Sequence, residues 1–199
     1  MKEALRQTRE RFSEISPYVV AGKSGTEYDK GRFTVAFFSR RFHVTFPEGE
    51  VREIGREAQP PLWLQVTVLH YLITSDGAPI ADRWIAFREL PGGHALLSNF
   101  EISTMAPLTE ALGNDPEKFR TAARALAGYP MGLGDVSFRF LAFPRLPMAC
   151  ILWEGEEGLP PAFNIVYDAA APHYLHTEDL SALAQYLSQA LCHGPWLEE

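Results

Sequence analysis

The chain has 199 residues, 46% hydrophobic and 22% charged, which fits one globular domain able to bury an apolar core without disulfide or metal staples. Its formal net charge of -7 opposes binding to nucleic-acid phosphates, and no apolar run reaches the roughly 20 residues of a membrane helix. Cys150 and Cys192 form neither a Cys-x-x-Cys pair nor a disulfide scaffold, so the expectation is a cytoplasmic protein with no nucleic-acid or membrane partner.

The opening segment MKEALRQTRERF alternates charges instead of placing a basic stretch before an apolar one, which predicts a short solvated helix and no secretory signal. Gly22-Lys23-Ser24 matches the tail of a phosphate-binding loop, but that motif needs glycine where Pro17 stands and a helix after the serine. A polar turn and strands follow, so the tripeptide reads as a plain turn. From Gly31 to Ile54, β-rich runs broken at Ser39-Arg40 and Pro47-Glu48-Gly49 predict three antiparallel strands in a meander. Phe42, Val44 and Phe46 share one face of the second strand, and His43 lies half-exposed on the other.

Pro60-Pro61 ends that sheet, and Leu62, Val66, Leu69 and Leu72 or Ile73 recur at helical spacing up to Asp76-Gly77, predicting a largely buried helix. A short strand from Trp84 to Phe87 leads into the loop Arg88-Glu89-Leu90-Pro91-Gly92-Gly93, then into a helical stretch that Pro107 divides or kinks. Asp115 is placed to cap the next helix, with Pro116 at its first position. Three strands follow, DVSFRFLAF, PMACILWEG and FNIVYD, the second apolar on both faces and therefore central. A last helix spans Asp179 to Cys192 with Thr177 as its cap. Strands, helices, strands and helix in that order indicate an α+β fold, one domain over residues 1–199, with helices packed on a mostly antiparallel sheet.

Gly92-Gly93-His94 could let the backbone approach a ligand closely, with Arg88 beside it, although a double glycine is more often a turn. The segment from Asp168 through His173, Tyr174 and His176 to Glu178 and Asp179 is the densest set of potential ligands. His173, His176 and Asp168 could hold a transition metal, with Glu178 or Glu154 as a base for hydrolysis. The plainer account has Glu178 and Asp179 serving the helix dipole, Tyr174 packing as a lid and the histidines solvated. Trp153 and the acidic run after it sit at a strand end, where loops often carry function. No nucleophile elbow, His-Glu-x-x-His helix or dinucleotide fingerprint is present.

Several pieces taken together, His70-Tyr71-Leu72, FRELPGG from Phe87 to Gly93, Gly134-Asp135, Pro144-Arg145 with Pro147, LWEG from Leu152 to Gly155, and Tyr174-Leu175 with Thr177-Glu178-Asp179, resemble a family of unknown function. That family is found mainly in anaerobic bacteria and archaea, and its members often carry the label of iron–sulfur cluster proteins. The resemblance covers about residues 60–185 and implies a setting of low-potential one-carbon metabolism. Two cysteines cannot supply the four thiolates of a cluster, so the resemblance implies only the domain without the cluster, with an iron–sulfur or methyltransferase protein as partner. In that company the ligand implied is a corrinoid such as cobalamin or a related tetrapyrrole, held through Arg88, Gly92, Gly93, His94, Tyr174 and Trp153, with His173 as the first candidate axial ligand. The Asp-x-His-x-x-Gly corrinoid motif is absent. A metal-assisted hydrolase and a docking module for such a partner are the alternative expectations, and His70 reads as a packed core histidine.

Overall fold

The charged opening segment folds as helix α1 (Lys2–Ser13), but it is not solvated all round: Leu5, Thr8 and Phe12 are buried. Their spacing of three and four residues puts them on one face, and burying Phe12 alone contributes about 2 kcal/mol. The computed structural model describes residues 1–194. Gly22-Lys23-Ser24 is not a plain turn either. It is the last turn of α2 (Pro17–Ser24), which Pro17 opens and Gly25 closes at φ 70°. The tripeptide therefore sits at the negative end of a helix dipole, the wrong end for a phosphate.

The meander forms as expected, β2 (Arg32–Phe37), β3 (Arg40–Thr45) and β4 (Val51–Glu53), with a short edge strand β1 (Glu27–Asp29) that the polar sequence does not announce. Phe33 pairs with Val44 and Val35 with Phe42, so the period-two pattern points all four at the core. Helix α3 (Leu62–Thr74) is buried on nearly every face, as its apolar run requires.

The second sheet has the order β5-β9-β8-β7-β6. It comprises β5 (Trp84–Ala86), β6 (Tyr129–Met131), β7 (Val136–Phe143), β8 (Leu146–Trp153) and β9 (Ala162–Asp168), all antiparallel. The strand apolar on both faces, β8, is the central one. A bulge between Leu141 and Phe143 frees the Ala142 carbonyl to accept from Phe38 N–H at 3.1 Å, joining the two sheets. One apolar core runs beneath both, where Tyr71 stacks on Phe143 with centroids 4.3 Å apart. The fold is thus a single α+β domain. Among the described residues no helix is long and apolar enough to cross a membrane.

The helices of the second half are α4 (Gly93–Phe100), α5 (Ala106–Leu112), α6 (Pro116–Ala125) and α7 (Thr177–His193). Asp115 caps α6 as expected, its Oδ1 accepting from Lys118 N–H at 2.9 Å. Thr177 does not cap α7. The capping position belongs to His176, and the Thr177 hydroxyl instead donates to the Pro91 carbonyl at 2.6 Å. Between α4 and α5 the chain widens into a π turn, Glu101–Met105, closed by Ala106 N–H donating to the Glu101 carbonyl five residues back. Pro107 explains it: the ring has no N–H and would clash with the carbonyl four residues earlier, so the preceding turn opens.

Candidate ligand-binding cleft

β5 lies beside β9 only where Trp84–Ala86 pair with Val166–Asp168. The chain then leaves the sheet, because Phe87–Glu89 coil into a 3-10 turn held by Glu89, whose carboxylate accepts from Ala86 N–H at 2.7 Å. From Ala162 to Ile165, β9 keeps β8 on one side and, among the described residues, has no strand on the other. The π turn approaches this open edge without filling it, leaving a hollow of about 320 Å³, near the lower limit of roughly 300 Å³ for small-molecule sites. Its polar lining is Arg88, Glu101 and Asn164, and its apolar lining includes Phe87, Leu97, Phe100, Met105, Trp153 and Phe163. A second hollow of about 400 Å³ shares Glu101, Met105 and Phe163 and adds Ile102, Ala106, Thr109, Pro161 and Ala162.

Phe87 and Phe100 stack with centroids 3.9 Å apart and planes 3° from parallel, giving the cleft a rigid aromatic base. Among the described residues, the side chains of Arg88, Glu101 and Asn164 make no hydrogen bond or ion pair, with each other or with other groups. Arg88 and Trp153, two candidates from the sequence, thus meet in one cleft. Glu101 and Asn164 escape sequence reasoning. Asn164 does leave a trace, as the polar residue within the apolar strand FNIVYD, whereas Glu101 is an ordinary polar residue of a helical stretch.

The glycine pair serves the protein itself. A Cβ on Gly93 would lie 2.0 Å from the Phe87 carbonyl oxygen, so this glycine lets α4 start directly against the 3-10 turn, while Gly92 supplies the left-handed backbone at φ 73°. His94 is exposed on the first turn of α4 and does not line the cleft. Tyr174 is no lid: it is fully buried, stacked 5.8 Å from Tyr71, with its hydroxyl donating to the Ala78 carbonyl. Burial pushes its phenol up from the usual range.

The three residues expected to hold a metal have separate attachments. Asp168 is buried, and its Oδ1 accepts from Ala81 N–H and Ala170 N–H at 2.9 Å each, which ties the loop before β5 to the end of β9. His173 is exposed, its Nδ1 2.6 Å from Asp76 Oδ2. That hydrogen bond, with help from Ala78 N–H, holds the Asp76 carboxyl below the usual range. His176 is exposed beside Pro91, Leu175 and Glu178 in a shallow hollow of about 170 Å³. Among the described residues no group of three or more His, Cys, Asp and Glu could hold a metal ion. Glu154 lies in an exposed turn, its backbone N–H donating to Asp135 Oδ2 at 2.7 Å.

The model of a family described as Domain of unknown function (DUF3786) matches residues 16–190. The chain belongs to the DUF3786 family. No curated protein and no solved structure matches it significantly. The cleft, the glycine pair and the Asp76–His173 contact all lie inside the DUF3786 match.

A second polar cluster straddles the edge of the DUF3786 match. His70 Nδ1 lies 2.9 Å from Asp179 Oδ2, and its Nε2 lies 3.3 Å from the hydroxyl of Thr8, which precedes the matched region. His70 is therefore more than a packed core histidine: it links α1, α3 and α7. The Thr8 hydroxyl donates to the Ala4 carbonyl at 2.8 Å, and no hollow described above reaches it, so the cluster reads as a structural clamp.

Proposed function

We propose that this DUF3786 protein is a non-catalytic binding protein whose small organic ligand enters the cleft beside Arg88. The observation that carries this reading is a guanidinium with no partner among the described residues, facing an aromatic-based hollow. Arginine presents a planar fork of donors matched to carboxylate or phosphate, and the apolar walls would cover the rest of the ligand.

A corrinoid serving an iron–sulfur or methyltransferase partner in one-carbon metabolism is the larger competing occupant. The cleft would take only an edge or side arm of such a disc, and neither His94, His173 nor His176 lines it. Thermal-shift titration with amino acids, small carboxylates and phosphates, run beside cobalamins and haem followed by gel filtration, tests the choice. The reading expects stabilisation by at least one ligand that carries a carboxylate or phosphate, with or without a second charge, and that Arg88→Ala abolishes. A visible chromophore retained through gel filtration and lost on His173→Ala would replace it with the corrinoid reading, and an Arg88→Ala variant that keeps all ligand response would sink it.

A further inference from the structure

Arg88 and Glu101 line the same hollow yet form no ion pair with each other. Resting on the binding role proposed above, we infer that the cleft takes a zwitterion of amino-acid type with a large apolar side chain. Its carboxylate sits on Arg88, its ammonium on Glu101, and its side chain runs past Met105 and Phe163. A purely anionic ligand on Arg88 would face the Glu101 carboxylate, and a purely cationic one would face the guanidinium. Like charges brought together in that way penalise the wrong ligand. A molecule carrying both charges, in the reverse order to the protein, satisfies both walls at once.

Size and lining point the same way. A hollow of about 320 Å³ is the liquid share of about ten waters, the scale of one amino acid. Asn164 offers an amide donor and acceptor beside the charged pair. Beyond the seam at Met105 and Phe163 the second hollow is mainly apolar, walled by Ile102, Ala106, Pro161 and Ala162, and would receive the side chain. Glu101 opens the π turn and borders both hollows, so the wide turn sets where the ammonium meets the carboxylate. Such turns recur at functional sites.

The test is titration calorimetry at low salt with leucine, methionine and phenylalanine, each also as its N-acetyl and its carboxamide form. The titrations are run on the wild-type protein, Arg88→Ala and Glu101→Gln, with circular dichroism confirming that the variants fold. At least one free amino acid should bind, and removing either of its charges should weaken binding roughly tenfold, the scale of one lost charge-assisted contact. On Glu101→Gln the N-acetyl and free forms should converge, and on Arg88→Ala the carboxamide and free forms should converge. Free forms that bind no better than their N-acetyl derivatives would overturn the inference. So would a plain carboxylate that binds in an Arg88-dependent way when no amino acid does, a result that leaves the binding role intact. Absence of any ligand response overturns both.

Discussion

Ser188 on α7 donates to the carbonyl of Thr104 inside the π turn at 2.8 Å, a buried contact across 84 residues of chain. Gln185 Nε2 reaches Ser103 Oγ at 3.1 Å and Cys192 Sγ lies 3.7 Å from the Pro107 carbonyl. Residues 185, 188 and 192 fall on one helix face. Helix α7 thus supplies a polar strip matched to the stretch where Pro107 disturbs the ladder, and it braces the wall that carries Glu101 and Met105.

Ser188→Ala removes that brace and exposes a buried carbonyl to loss of its partner, at a cost of about 1–2 kcal/mol. Urea unfolding should show the loss, and hydrogen exchange should rise in Glu101–Met105 more than elsewhere.

The two glycines before α4 should respond differently to alanine. At Gly92 nothing stands within 4 Å of an added Cβ, so the cost is the left-handed backbone alone, about 1 kcal/mol. At Gly93 the Cβ would meet the Phe87 carbonyl, forcing the 3-10 turn to move at a cost of about 3 kcal/mol or more. Chemical denaturation of the two variants checks the order. Because Arg88 belongs to that turn, Gly93→Ala should also impair any ligand binding that depends on Arg88.

The Asp76 carboxyl is depressed by His173. A depressed carboxylate contributes stability that is fully present above its unfolded pKa of about 3.9 and is lost as pH falls through the folded value. Both partners are about half exposed, so solvent screening keeps the contribution below about 1 kcal/mol. In His173→Ala the Asp76 titration followed by carbon NMR should move up toward the ordinary range, and the acid limb of the stability profile should shift slightly to higher pH.

Cys150 is wholly buried in β8 and Cys192 half-buried on α7, and desolvation raises both thiols. Thiolate is the reactive form, so at mildly alkaline pH the native protein should react slowly with a maleimide. Cys150 should modify only as fast as the protein unfolds, and both thiols should react at once in concentrated guanidinium. Mass spectrometry of the labelled peptides separates the two sites.

Periodicity and punctuation in the sequence were enough for the meander, the buried helix α3, the central place of β8 and the Asp115 cap, because each depends on neighbours a few positions away. The edge strands β1 and β6 escaped, being three residues long and defined by their partners. Pro107 announced a break in its helix but not the form it took. That a π turn would follow, and that Gln185, Ser188 and Cys192 would meet it, depended on how α7 docks. Arg88 and Trp153 stood out in the sequence, yet Glu101 and Asn164 joined them only because β5 leaves the sheet early and exposes the edge of β9. The expected metal ligands His173, His176 and Asp168 lie close in sequence and apart in their contacts, since a strand end, an exposed turn and a helix cap aim their side chains differently. Local pattern decides which element a residue joins, and packing between distant elements decides which side chains share a cleft.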